Sequence, residues 1–123
     1  MSTRHKRWGQ ANETVASGFL KAAVYRILEQ NYRTGLGEID IVACRQDTIV
    51  FVEVKSRKSV RYGSPKYAVT HQKQRKISMV ALQYLKKNAR PHTKARFDVI
   101  AIDSSSGAPQ IEWVKNAFEL AYP

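Results

Sequence analysis

The sequence predicts a single α/β domain with elements in the order α-β-β-β-α-β, and three observations lead to this prediction. Two central segments, residues 37–43 and 48–55, alternate with period two, as β-strands do. Residues 70–87 have apolar side chains at helical spacing. The chain of 123 residues, 43% of them hydrophobic, is long enough to bury one core. We therefore predict one domain over residues 10–123, preceded by a basic, mobile arm over residues 1–9.

The first helix is predicted over residues 10–23, where Ala16, Leu20 and Ala23 form one apolar stripe. Glu13 lies on the same stripe, about one turn earlier. This acid has two interpretations. It either interacts favourably with the helix dipole in the first turn, or it directs a third carboxylate toward the strands that follow.

Strands and turns follow this helix. Residues 25–33 predict a first strand, although residues 28–30 would also fit an extension of the helix. Glycines mark a turn at residues 34–37. After the second helix, we expect a central strand over Arg96–Ile102 and a short edge strand over Gln110–Phe118.

The second helix has the clearest periodicity, with Thr70 as a plausible N-cap. Its apolar stripe consists of Ile77, Val80, Ala81, Tyr84 and Leu85. One turn before Ile77 the same stripe holds Lys73 and Gln74. The inward face of this helix therefore begins with two polar residues.

The central hairpin places carboxylates among apolar residues. With a turn centred on Gln46-Asp47, Asp40 faces Glu53 and Glu38 faces Lys55. Like charges that lie directly opposite each other destabilise a strand pair. A bound divalent cation removes this repulsion, and Mg²⁺ takes carboxylate oxygens while it leaves sites for water and phosphate. The sequence therefore predicts a metal site at Asp40 and Glu53.

The spacing of Asp40, Glu53 and Lys55 suits phosphodiester hydrolysis. Metal ions held by carboxylates generate the attacking hydroxide and neutralise the charge that develops on the phosphoryl oxygens. Lys55 lies two residues beyond Glu53, about 6.6 Å further along the same face of a strand. There it can orient the water or stabilise the developing charge.

The charge of the chain indicates a polyanionic partner. Its 21 Lys and Arg residues exceed its 10 Asp and Glu residues, which gives a net charge of +11. Between Val54 and Phe97 no residue is acidic. We expect this acid-free span to contact nucleic acid. We do not expect it to bind a membrane, since no lipidation motif or strongly amphipathic anchor accompanies the charge. The loop over residues 56–65 either contacts phosphates or is a solvated connector. The candidate phosphate contacts are Arg57, Lys58, Arg61, Lys66, Lys73, Arg75 and Lys76.

Cysteine usage and the N-terminus predict a cytoplasmic, nucleoid-associated protein. Cys44 is the only cysteine, so the chain has no internal disulfide, which suits a reducing compartment. Residues 1–10 are basic and polar and contain no apolar core typical of a signal peptide. No apolar run approaches the length of a membrane span.

Several strings in the sequence resemble the YraN-like family of small bacterial proteins. They are Gly37–Ala43, Phe51–Arg57 and Arg96–Val99, with further matches at Asn31–Arg33, Lys73-Gln74, Tyr84-Leu85 and Asn116–Phe118. That family is similar to the Holliday-junction resolvases of the PD-(D/E)XK nuclease superfamily. The resemblance implies a restriction-endonuclease-like mixed β-sheet flanked by helices, Mg²⁺ (or Mn²⁺) as cofactor, and a homodimer that acts on branched or structured DNA.

The resemblance also implies roles for individual residues. Asp40 and Glu53 correspond to metal ligands, Lys55 to the catalytic lysine, and Glu13 to a helix-borne acid that completes the metal site. Glu38 and Gln74 correspond to supporting site residues. The chain departs from the pattern at three positions: Ile39 replaces a proline, and Asn12 and Val24 replace glycines.

Three functions of different classes remain open from the sequence. The first is a metal-dependent DNA endonuclease for branched or structured DNA. The second is a non-catalytic nucleic-acid-binding module in DNA repair, recombination or uptake. The third is an adaptor for an acidic protein partner. The complete set of Asp40, Glu53 and Lys55 favours the first, because a binding module has no need of paired acids within a basic surface.

Overall fold

The computed structural model describes residues 3–56, 69–88, 94–104 and 107–121, with the backbone alone for residues 3–10. The elements are α1 (Thr3–Ala22), β1 (Arg26–Thr34), β2 (Gly37–Arg45), β3 (Thr48–Ser56), α2 (His71–Asn88), β4 (Lys94–Asp103) and β5 (Gln110–Phe118). The described strands form one sheet in the order β1-β2-β3-β4-β5. This arrangement confirms the predicted α/β class and the predicted order of elements, with the expected edge strand at the end.

The sheet is mixed because of one connection. Strands β3 and β4 pair in parallel, and α2 lies between them in the chain, as a parallel crossover requires. The other neighbouring strands are antiparallel. In the central hairpin, Ile41 pairs with Val52 and Arg45 pairs with Thr48. This register confirms the predicted turn at Gln46-Asp47.

The two helices cover opposite faces of the sheet. Alternate residues of β3 separate accordingly: Phe51 packs in one buried cluster with residues of α2, whereas Val50 and Val52 pack in the other. The second cluster contains Ala16 and Leu20 of α1. The core therefore has two halves, one on each side of the central strands.

Helix α2 agrees with its sequence pattern. Thr70 is the N-cap, since its Oγ1 accepts a hydrogen bond of 3.1 Å from the Lys73 backbone N–H. The predicted apolar residues Ile77, Val80, Ala81 and Tyr84 are buried, and Leu85 packs against the same cluster. The period-3.6 pattern alone predicted the buried face of α2, because the apolar stripe in the sequence is the face that packs against the sheet.

Helix α1 is longer than its apolar stripe. It begins at Thr3, so residues 3–9, predicted to be an arm, continue the helix backbone. Ala16 and Leu20 of the stripe pack on the sheet, and no proline interrupts the segment before them, so the backbone there can stay helical. The helix ends at Ala22 and residues 28–30 belong to β1, which excludes the alternative of a helical extension there.

A Schellman motif ends α1, and it places a valine in a glycine conformation. The Tyr25 N–H donates to the Leu20 carbonyl at 2.9 Å, and the Val24 N–H donates to the Lys21 carbonyl at 3.0 Å. Val24 consequently has φ of 67° and is 74% exposed. This left-handed position favours glycine, because a β-branched side chain there clashes with its own backbone.

We expect Val24→Gly to increase the free energy of unfolding by about 1 kcal/mol, because it relieves the left-handed strain and loses almost no buried contact. Urea unfolding at equilibrium measures the change. Val24→Ala is the matched control, because it shortens the side chain but keeps Cβ, and it should recover only part of the gain. A glycine variant no more stable than the alanine variant would contradict this account.

No helix within the described ranges is both long and apolar enough to cross a membrane.

Candidate active site

The site lies where β2 and β3 diverge. Their pairing ends at Ile41 and Val52, so Asp40 and Glu53 follow directly beyond the last pair. There the Asp40 Oδ2 accepts a hydrogen bond of 2.8 Å from the backbone N–H of Val54. The two carboxylates therefore lie beyond the regular pairing of β2 with β3, and both line the same cavity.

The cavity has a volume of about 290 Å³ and receives residues from four elements. It is lined by Asn12, Glu13, Asp40, Glu53, Val54, Lys55, Ser56 and Lys73. Helices α1 and α2 cover opposite faces of the sheet, yet both reach this cavity because it lies beyond the end of the β2–β3 ladder. The structure thus brings together three of the predicted acids and the predicted catalytic lysine.

Glu53 is neutralised by two lysines. It is 5% exposed, and its Oε1 lies 2.6 Å from the Nζ of Lys73 and 3.8 Å from the Nζ of Lys55. A buried carboxylate requires such partners, because burial without them costs several kcal/mol, on the order of 3–5 for a broken buried pair. Lys73 pairs with a site carboxylate in this structure, and its predicted contact with nucleic acid stays a prediction.

The Asp40 carboxyl keeps its proton to a higher pH than an ordinary aspartate does, because its pKa is raised. Burial raises its pKa to about 7, and the negative charges of Glu53 and Glu13 add to that increase. The hydrogen bond from Val54 and the positive charge of Lys73 act in the opposite direction. Asp40 therefore loses its proton near neutral pH, where an ordinary aspartate is already fully ionised.

The pKa values of the two lysines are shifted in opposite directions. Burial lowers the pKa of Lys55, and the nearby charge of Lys73 lowers it further, against the attraction of Glu53. Burial also acts to lower the pKa of Lys73, but its hydrogen bond and charge interaction with Glu53 outweigh burial and raise it. Lys73 is therefore the more firmly charged of the two.

Glu13 faces the site and not the helix dipole. Helix α1 begins at Thr3 and its first turn contains no acid, which excludes the first interpretation of Glu13. Burial raises the pKa of Glu13, and the charges of Glu38 and Glu53 contribute, while a hydrogen bond from the Asn31 side chain opposes them. Asn31 of β1 therefore stabilises the charged form of an acid on the neighbouring helix.

Asp40 and Glu53 fit a hard divalent cation in an open site. Mg²⁺ is commonly bound through one or two carboxylates, and water and substrate phosphate complete its coordination. Across the parts of the chain that the structure describes, no three His, Cys, Asp or Glu side chains are grouped closely enough to hold one ion. The pair on β2 and β3 is therefore the candidate ligand set, and the role of Glu13 as a third ligand stays a prediction.

Comparison with known proteins identifies the family. Residues 12–102, which include the whole cavity lining, match Uncharacterised protein family UPF0102. The chain belongs to this family. A UPF0102 protein of Syntrophus aciditrophicus (strain SB) is 51% identical over 120 residues, which are 98% of this chain and 94% of that protein. One of Geobacter metallireducens is 52% identical over 122 residues, 99% of this chain and 100% of the relative. Membership in UPF0102 confirms the resemblance to YraN-like proteins.

Other predicted residues of this UPF0102 protein lie outside the cavity lining. Glu38 forms an ion pair of 3.4 Å with Arg33, its neighbour across β1 and β2. Gln74 donates through Nε2 to the Val69 carbonyl at 3.0 Å, which fastens the chain just before α2. On α2, Arg75 is partly buried and Lys76 is exposed. Four predicted phosphate contacts lie outside the described residues: Arg57, Lys58, Arg61 and Lys66.

Sequence reasoning missed the buried network around Asp98 on β4. This carboxylate is fully buried and accepts hydrogen bonds from Arg96 Nε at 2.8 Å, Trp113 Nε1 at 2.8 Å and the Asn116 N–H at 2.9 Å. Arg96 also donates to the Tyr25 hydroxyl at 2.9 Å. Opposite charges two residues apart in an apolar strand were the available signal. The network ties β5 and the end of α1 to the central sheet.

Replacing Asp40 with asparagine should stabilise the metal-free UPF0102 protein at alkaline pH. Because the folded-state pKa of Asp40 is raised from 3.8 to about 7, the folded protein binds more protons than the unfolded chain between these values. The stability that this provides is complete in acid and is lost as the pH rises through about 7. The asparagine carbonyl can still accept the hydrogen bond from Val54.

The expected gain for Asp40→Asn is about 2–4 kcal/mol at about pH 8 and close to zero at about pH 4, since each pKa unit corresponds to about 1.4 kcal/mol. Urea unfolding across this range, with a chelator present, measures it. Asp47→Asn is the control, because that carboxylate is exposed on the same hairpin. A pH-independent difference between wild type and Asp40→Asn would contradict the assignment.

Proposed function

We propose that this UPF0102 protein is a metal-dependent DNA endonuclease that hydrolyses phosphodiester bonds in branched or structured DNA. The observation that supports it most strongly is the cavity itself. Two carboxylates and two lysines from three elements surround one space, in a chain with a net charge of +11. This combination suits a reaction that needs a cation and a polyanionic substrate together.

The residues of the chain have separate roles in this proposal. Asp40 and Glu53 would hold Mg²⁺ (or Mn²⁺), which when bound supplies a hydroxide nucleophile and neutralises charge on the scissile phosphate. Lys55 lies against Glu53 and is partly buried, so its ammonium is restricted to the cavity. There it orients the attacking water or stabilises the charge that develops on the phosphate. Glu13 binds solvent or the cation from the side of α1.

The positive charge around the site supports DNA as the partner. The exposed Lys76 on α2 extends the positive charge outward from the site. Phosphate contacts of this kind position DNA without reading its sequence, which suits an enzyme that recognises structure. The homodimer stays a prediction of the resemblance, and the association with the nucleoid stays a prediction from the sequence.

A second candidate function is a nucleic-acid-binding module without catalysis. The contact between Lys73 and Glu53 favours it, because the ammonium group of Lys73 by itself balances the charge of the buried carboxylate. In that case the acids would shape a phosphate-binding surface, and divalent cations would change neither DNA affinity nor the integrity of the DNA.

A nicking assay on four labelled DNAs separates the two candidates. A four-way junction, a flap, a single strand and a duplex of equal length are each incubated with Mg²⁺, Mn²⁺ or a chelator. We expect metal-dependent cleavage of the junction or flap that is abolished in Asp40→Asn and Glu53→Gln. Asp47→Asn, with its exposed carboxylate beyond the cavity lining, should cut as wild type does. Intact DNA in every lane, with binding retained, would establish the non-catalytic module.

A further inference from the structure

Glu53 has two lysine partners that lie on different elements and differ in the exposure of their side chains. Lys55 lies two residues away on the same strand, and its side chain is 28% exposed. Lys73 comes from the first turn of α2, and its side chain is 42% exposed although it makes the shorter contact, 2.6 Å against 3.8 Å. The closer partner of the buried acid is therefore also the one with more access to solvent.

The contact of Lys73 uses an oxygen that the proposed function needs. Both lysines approach Oε1 of Glu53, and the Glu53 side chain is only 6% exposed. A divalent cation that binds this carboxylate meets an ammonium group already in place. The two positive groups repel each other beside a buried carboxylate, where charges interact more strongly than at the surface. Lys73 has to move away for the cation to bind closely.

Lys73 has a suitable new position when it leaves Glu53. Its flexible four-carbon stem allows rotation toward solvent without any change in the helix. A lysine that reaches solvent stays charged at neutral pH, because its ordinary pKa is about 10.4. The exposed side of α2 next to it has further positive charge at Lys76, which is where a phosphate backbone would lie. A DNA phosphate can therefore replace Glu53 as the partner of Lys73.

We propose that Lys73 is an exchangeable counter-ion of the site: it neutralises Glu53 in the metal-free protein and transfers to a DNA phosphate when a divalent cation occupies the carboxylates. This inference rests on the proposed metal and DNA binding, but not on cleavage. Metal and DNA then promote each other's binding, because each removes the competitor of the other. By linkage, the factor by which DNA increases metal affinity equals the factor by which metal increases DNA affinity.

The variant Lys73→Gln distinguishes this role from simpler ones. Without the competing ammonium, the variant should bind the cation about five-fold or more tightly in the absence of DNA. DNA should then increase metal affinity much less than in wild type. A residue that only contacts phosphate would leave the affinity for metal alone unchanged. A residue that only stabilises the fold would lower it.

Isothermal titration with Ca²⁺ is a direct test, since Ca²⁺ is a hard cation that also binds carboxylate oxygens. The affinity is measured with and without a four-way junction, and a denaturing gel verifies that the DNA stays intact. Lys87→Gln is the matched control, because it removes an exposed lysine at the far end of the same helix, about 21 Å away. Lys87→Gln should keep the wild-type affinity and the wild-type effect of DNA.

Lys73→Arg gives the opposite change and keeps the test valid if the glutamine variant does not fold. A guanidinium group can bind Glu53 through two hydrogen bonds, so it should compete more strongly and weaken metal binding. Unchanged metal affinity in both Lys73 variants, or an undiminished effect of DNA in Lys73→Gln, would overturn the proposal. If wild type fails to cut any DNA but shows this coupling, the nuclease proposal fails and the exchange remains.

Discussion

Replacing Lys55 with alanine should lower cleavage of bound DNA by about two or more powers of ten while it leaves DNA affinity within a few-fold of wild type. The Lys55 side chain is directed into the cavity beside Glu53, where it can act on the reacting phosphate. A group that acts on charge formed in the transition state contributes to the rate more than to ground-state binding. Only one of 21 basic residues is lost, so the electrostatic attraction to DNA is largely retained.

Binding and single-turnover cleavage are compared on the same labelled junction, at fixed salt and saturating protein. Lys115→Ala is the control, because it removes an exposed lysine from β5, outside the cavity lining. Parallel and modest decreases in binding and cleavage would make Lys55 a phosphate contact. A variant that cuts as fast as wild type would remove Lys55 from the mechanism.

Asp98→Ala should decrease the free energy of unfolding by about 3–5 kcal/mol, the usual loss when one member of a buried ion pair is removed. Arg96 would keep its charge, because a guanidinium group is not deprotonated in proteins, and it would lose both of its hydrogen bonds to Asp98. The indole N–H of Trp113 and the backbone N–H of Asn116 would also lose their acceptor. Unpaired buried donors add to the penalty.

Chemical denaturation of Asp98→Ala measures this loss, and Asp47→Ala is its control. Asp47 also pairs with a lysine, Lys94 at 3.7 Å, but both side chains are mostly exposed, so that pair should contribute less than about 1 kcal/mol. Asp98→Asn should show an intermediate loss, since its carbonyl accepts some of the bonds without the charge. A loss below about 1 kcal/mol for Asp98→Ala would mean that the network rearranges at low cost.

The predicted site and the observed site differ in how the carboxylates meet. The sequence placed Asp40 directly opposite Glu53 in a regular hairpin. In the structure the ladder stops one step earlier, and the Asp40 carboxylate instead accepts the Val54 N–H. This divergence opens the cavity to Glu13 from α1 and Lys73 from α2. In a fully paired hairpin, a site on one face of the sheet would be accessible to only one of the two helices.

Local periodicity in the amino-acid sequence was enough to predict several elements of the fold. The hairpin register follows from alternation and a short polar turn, and both are confirmed by the pairing of Ile41 with Val52. The start and buried face of α2 follow from Thr70 and the apolar stripe. The set of Asp40, Glu53 and Lys55 is equally local, because all three lie on one hairpin whose register fixes their spacing.

The contacts between side chains that are distant in the sequence could not be predicted without the tertiary structure. The sequence places Lys73 on the inward stripe of α2 but does not identify its partner. Lys73 reaches Glu53 because the crossover brings the first turn of that helix to the open end of the sheet. Asp98 finds Trp113 and Asn116 through the pairing of β4 with β5. Periodicity identifies the face on which a residue lies. It does not reveal the end of the sheet at which two faces converge, because that depends on how helices pack and where strands part.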